Sequence, residues 1–174
     1  MQNVKWIMLC LLAAPALGAA EFRPESFGAR SGFSPDDANH RFMQSEGFAN
    51  WNLPWKWELG SSWDLRTQLG LSAGWISGQG QDAFIGTAGP ALALSRRNLP
   101  LELVAGVSPT LLGRTEFGNK DYGNLFQFTS HVGARWTFGE RFELGYRYQH
   151  MSNAGIGRHN PGLNLHMFSI AYRF

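Results

Sequence analysis

Near the C-terminal end of the chain His150 and Ser152 stand two residues apart, followed closely by Asn153 and Gly155. An imidazole beside a hydroxyl is the core of a machine for hydrolysing esters. The hydroxyl attacks, the imidazole takes its proton, a third group orients the imidazole, and N–H donors receive the charge that develops on the carbonyl oxygen. On extended backbone, alternate residues share a face about 7 Å apart, so the two side chains meet only if the strand end bends. Asn153, through its side-chain amide, and Gly155, through its backbone N–H, are the candidate oxyanion donors. Spacing alone is a weak signal, since a strand end whose His, Ser and Asn merely face lipid headgroups has the same pattern.

The elements that must position these residues are strands. Phe142, Leu144, Tyr146 and Tyr148 alternate with Glu143, Gly145, Arg147 and Gln149, the period-2 pattern of a strand with one apolar face. His150 and Ser152 continue the apolar series. Trp63, Leu65, Leu69, Leu71, Ala73 and Trp75 form a greasy face against Asp64, Arg66, Gln68 and Ser72, as do Phe126, Phe128, Val132, Trp136 and Phe138 against Gln127, Thr129, His131 and Arg135. Eight strands are expected, over residues 24–33, 40–52, 57–77, 82–96, 100–113, 123–138, 140–153 and 163–174, with 57–77 open to division into two segments. Gly, Pro, Asn and Asp clusters separate them, and Gly78-Gln79-Gly80 reads as a turn. In strand two, Met43, Ala49 and Trp51 compete with Phe42 and Phe48 for the outer face.

Several spans exceed the roughly 9 to 11 tilted residues that cross a bilayer. The chain closes on Phe168, Ile170, Tyr172 and Phe174 in strict alternation, a terminal aromatic that resembles the C-terminal signature read by the outer-membrane barrel-assembly machinery. A soluble barrel would turn its greasy face inward, whereas a membrane barrel turns it outward. The fold class expected is all-β: an eight-stranded antiparallel outer-membrane β-barrel. Trp51, Trp55, Trp57, Trp63, Trp75 and Trp136 would supply its interfacial girdles. Arg66, Gln68, Glu102, His131, Arg135, Glu143 and Arg147 would fill a lumen that eight strands leave just wide enough for side chains.

Residues 1–20, with Lys5 ahead of an apolar run and small residues behind, read as a secretory signal peptide, leaving residues 21–174 as one barrel domain. No later stretch is long and apolar enough for a transmembrane helix. The one cysteine, Cys10, falls in the signal segment, so the mature chain has no thiol for disulfide, metal or catalytic use. With 15 Lys and Arg against 13 Asp and Glu, the charge balance gives no reason to expect nucleic acid as a partner. No metal-ligand spacing or phosphate-cradling glycine loop is evident, and no cofactor is expected.

The run His150-Met151-Ser152-Asn153-Ala154-Gly155, then Asn160-Pro161-Gly162-Leu163 and a closing strand, resembles the lipid A 3-O-deacylase (PagL) family of Gram-negative outer membranes. The resemblance implies an eight-stranded barrel with a His-Ser-Glu triad outside the wall, facing the outer leaflet. It implies lipid A of lipopolysaccharide as substrate, and it permits a homodimer. Carried over by position, Ser152 is the nucleophile and His150 the base. Asn153 and Gly155 form the oxyanion hole, and Phe128 and Asn160 lie at the substrate site. The family's triad Glu falls on Asn164 here, and no Asp or Glu follows Glu143. An amide oxygen still accepts the His Nδ1–H, so Asn164 takes the orienting position without stabilising the imidazolium. Glu116 or Asp121 would be the substitute carboxylates if one arrives from a loop. Arg114, Lys120 and Arg158 lie in loops where lipid phosphates would meet them, although solvated loop charges have the same pattern, and His159 and His166 read as loop or interfacial residues. Loss of the acid also fits a catalytically silent structural or adhesive barrel, and the apolar groove itself does not distinguish lipid A from other acylated lipids.

Overall fold

A computed structural model describes residues 23–35, 41–157 and 159–174. The expected signal peptide and Arg158 lie outside the described residues. Eight long strands, β1 (Ser26–Phe33), β2 (Phe42–Leu59), β3 (Trp63–Gly78), β4 (Gln81–Arg96), β5 (Leu101–Leu112), β8 (Phe126–Phe138), β9 (Phe142–Ser152) and β10 (Leu163–Arg173), close into an antiparallel barrel. A two-residue hairpin, β6 (Glu116–Phe117) with β7 (Lys120–Asp121), interrupts the connection from β5 to β8. The circuit closes where β1 pairs with β10, Ser26 opposite Arg173 and Phe33 opposite His166. Phe174 donates its N–H to the Glu25 carbonyl at 3.0 Å.

The alternation read from the sequence becomes the inside and outside of the wall. Leu71, Trp75, Leu103, Val132, Trp136, Leu144, Phe168 and Ile170 are exposed on the outer surface, while Gln44, Glu46, Gln68, Thr129, Glu143 and Gln149 are buried within. This is the inverted polarity of a membrane barrel. Two expectations need correction. The second strand does not stop near residue 52: an irregularity between Asn52 and Lys56 shifts its register, after which it continues to Leu59 and turns into β3 at Trp63. The span from residue 57 is therefore the end of one strand and the whole of the next. The competition of parities in β2 is settled by packing, with Phe42 and Phe48 buried inside and Met43 57% exposed outside.

The lumen holds two polar layers beneath an apolar one. Toward the chain termini, Glu102 pairs with Arg66 and Arg135. Arg135 also donates to Gln68 Oε1 at 2.7 Å, and Glu25 accepts from Gln68 and Arg173. Higher up, Glu46 pairs with Arg30 and Arg147 and accepts from Gln44 and Ser72. Of the expected luminal residues, Glu143 lies 3.8 Å from Arg135 Nε, and the others join these networks or the cavity of about 70 Å³ that His131, Arg135 and Arg147 help line. Pairing of this kind offsets much of the cost of burying charge, although Arg66, Arg135 and Arg147 each keep a buried Nε without a hydrogen-bond partner among the described residues. Toward the long-loop rim the filling turns apolar: Phe42, Ile76, Ile85, Leu112, Phe117, Tyr122, Met151, Leu165 and Met167 form one buried cluster. Phe117 and Tyr122 come from the β5–β8 connection, and their rings meet Phe42 edge-on at 5.5 and 6.2 Å. The hairpin is thus a stopper whose apolar side chains plug the barrel mouth directly beneath the end of β9.

Candidate active site

On the outer wall β9 and β10 run side by side, and their outward residues make a ladder of opposed pairs: His150 with Asn164, Tyr148 with His166, Tyr146 with Phe168, Leu144 with Ile170. The top pair lies at the long-loop rim. Asn164 Oδ1 is 2.8 Å from His150 Nδ1. A carbonyl oxygen only accepts, so Nδ1 carries the proton and Nε2 keeps its lone pair. That tautomer is the one a general base requires. The ring partner is this amide and not a carboxylate. Of the two loop acids considered, Asp121 hydrogen-bonds His159 Nδ1 at 3.0 Å and accepts the Gly123 N–H at 2.7 Å, and Glu116 lies opposite Asp121 in the small hairpin. The Gly123 N–H, helped by His159, holds the Asp121 carboxyl below the usual carboxylate range.

Ser152 is the last residue of β9, on the same outer face as His150, with Phe128 of β8 directly opposite. Phe128 packs edge-on against Phe126 at 5.1 Å, so an aromatic shelf borders the hydroxyl. Among the described residues no hydrogen bond joins Ser152 Oγ to the imidazole. Immediately after Ser152 the chain bends sharply: Ala154 has φ +54° and Gly155 +79°, and Ile156 N–H donates to the Asn153 carbonyl at 3.0 Å. A non-glycine residue in the left-handed region costs roughly 1–2 kcal/mol, a strain the loop packing must sustain.

That packing centres on Asn153, which is fully buried. Its amide nitrogen donates to the carbonyls of Tyr122 at 2.9 Å and His159 at 2.6 Å. Its Oδ1 accepts the Gly155 N–H at 2.9 Å, and its own N–H donates to Asn160 Oδ1 at 3.0 Å. The side chain therefore clamps the β9–β10 loop to the β5–β8 connection, a task no local pattern signals. Gly123, at φ +68°, belongs to the same contact, since a β-carbon there would lie 2.6 Å from the His159 carbonyl oxygen. One polar pair on the outer wall was also missed: Tyr146 Oη lies 2.7 Å from His166 Nδ1, with Tyr148 edge-on to the His166 ring at 5.3 Å. The period-2 pattern of β10 places His166 two residues below Asn164 on the outer face, which was signal enough to put it there.

A sealed, outward-greasy barrel with an imidazole and a hydroxyl on its outer rim belongs among the outer-membrane β-barrels. The chain is a member of the lipid A 3-O-deacylase (PagL) family, whose sequence profile matches residues 45–173. It is similar to the lipid A deacylase PagL of Bordetella bronchiseptica, 32% identical over 132 residues that cover 72% of this chain and 74% of that one. Its fold is similar to the crystal structure of the outer membrane enzyme PagL, with a TM-score of 0.75 at 18% identity over 86% of this chain and 99% of the other. The family places the chain in the outer membrane as an ester hydrolase.

Proposed function

We propose that this chain hydrolyses the 3-O-linked acyl ester of lipid A with Ser152 as nucleophile, His150 as general base and Asn164 as the orienting group. The observation that carries this reading is the His150 Nδ1 to Asn164 Oδ1 hydrogen bond on the lipid-facing side of the rim. It leaves Nε2 unprotonated at the end of the strand that bears the hydroxyl. Ser152 Oγ attacks the ester carbon as its proton passes to Nε2. Collapse of the tetrahedral intermediate breaks the bond to the sugar oxygen, and the imidazolium returns its proton to that oxygen. Water then attacks the acyl-enzyme with His150 again as base, which frees the fatty acid and regenerates the hydroxyl.

The oxyanion donors in this reading are the backbone N–H groups of Asn153 and Gly155. Both now donate to neutral amide oxygens. Charge-assisted hydrogen bonds are roughly twice as strong as neutral ones, so a developing oxyanion outcompetes those acceptors. The buried Asn153 amide nitrogen keeps the loop in place instead. Phe128 borders the acyl group, and Asn160 holds the Asn153 backbone. With its termini on the short-turn rim, the barrel has short turns at one end and longer loops at the other, and the usual arrangement of short periplasmic turns and longer outer loops supports an active site in the outer leaflet.

The test is the lipid A mass spectrum of cells expressing wild type or Ser152→Ala. Wild type is expected to lose the 3-linked acyl chain and the variant to keep it. Identical, full acylation in both would favour the rival reading, a silent barrel that lost its acid, for which Asn164 is the supporting observation.

A further inference from the structure

Two residues before Asn164 the backbone passes over the His150 ring. Gly162 sits at φ +65°, and a β-carbon built on it would lie 3.0 Å from His150 Cε1 and 3.8 Å from Nε2. The nearest atom it would meet is therefore in the imidazole, not in the neighbouring backbone. The same ring is tied at Nδ1 to Asn164 Oδ1 at 2.8 Å. A ring free to swing would accommodate a methyl group by moving a few tenths of an ångström. This one moves only by straining the bond that fixes its tautomer, and hydrogen bonds weaken steeply as their geometry departs from linearity.

We infer that Gly162 is a positioning residue of the esterase: its missing side chain lets the His150 imidazole lie against bare backbone while Nδ1 stays on Asn164 and Nε2 stays available to Ser152. The inference rests on the reading of His150 as general base. It adds a steric requirement on the β9–β10 loop beyond the triad chemistry and beyond the left-handed backbone at Gly162. The bond from below and the bare backbone from above act on one ring, so the effects of Gly162 and Asn164 must be coupled.

The experiment measures fatty-acid release from lipid A in mixed micelles by detergent-folded barrels, each checked for the heat-modifiable gel shift that reports a closed wall. Gly162→Ala is expected to lower kcat by about tenfold, since a shift of a few tenths of an ångström is a fraction of the roughly 1 Å misplacement that costs about 10²-fold, with KM changed by less than about twofold. Gly162→Asn separates crowding from backbone strain, because Asn tolerates the left-handed conformation yet still carries a β-carbon. It is expected to be as impaired as the alanine variant, and recovery to wild-type rate would overturn the inference. In an Asn164→Ala background, where the ring is already untied, adding Gly162→Ala is expected to cost less than about threefold more, whereas a purely structural role would give the full loss again. Ser152→Ala run alongside keeps the two ideas apart. Its retention of activity would remove the esterase reading and this inference with it, while its inactivity beside a wild-type-like Gly162→Ala would remove the inference alone.

Discussion

In the proposed mechanism Asn164 is the residue that limits the rate. Its amide oxygen accepts from His150 Nδ1 but would bring no charge to meet the imidazolium formed as Ser152 is deprotonated. A hydrogen bond to a charged partner contributes roughly 1 to 1.5 kcal/mol more than a neutral one, so Asn164→Glu is expected to raise kcat about tenfold. Steady-state release of fatty acid from a folded, detergent-purified sample measures it, and an unchanged or lower rate would mean that another group orients the ring. The outward placement of His150 and Ser152 was legible in sequence because a strand's period of two leaves little choice once Tyr146 and Tyr148 are assigned to the lipid face. Asn164 was legible through family resemblance only, since it belongs to another strand and its pairing with His150 depends on loop length. The Asn153 amide nitrogen is held by the Tyr122 and His159 carbonyls, partners about which local spacing carries no information.

The elements around the site divide into a wall that the alternation pattern specifies and loops that it does not. The strands were readable because each wall face repeats its chemistry, and the departure in β2 has a physical cause. Phe42 and Phe48 are apolar yet face inward, where an aromatic plug and the Arg30 guanidinium, 4.6 Å above the Phe48 ring, receive them. Nothing near Phe117 or Tyr122 in sequence marks them as that plug. The clamp between loops is open to direct trial. Asn153→Ala removes two donors from buried carbonyls, each worth roughly 1–3 kcal/mol when left unsatisfied. The wall is expected to stay closed while protease nicks the chain within residues 153–162 and activity falls. Wild-type resistance in the variant would show that the loop holds its shape without Asn153.

At the scale of the whole molecule, the inside of the barrel is organised by paired charge. Glu46 is the acceptor shared by Arg30 and Arg147, and removing one partner of a buried ion pair costs about 3–5 kcal/mol because the other charges are stranded. Glu46→Ala is therefore expected to lower the urea midpoint of folding in detergent markedly, while surviving barrels keep wild-type kcat, since none of these groups faces the outer wall. A loss of kcat in fully folded protein would instead tie the luminal network to the site.

If the imidazole and hydroxyl on the outer surface of this plugged cylinder are the catalytic pair, substrate does not enter a pocket from bulk water, and encounter is a two-dimensional search within one leaflet. Turnover would then follow the mole fraction of acylated lipid among its neighbours and the lateral mobility of that leaflet, and inert lipid would slow the reaction by surface dilution even when the total amount of substrate in the sample is unchanged.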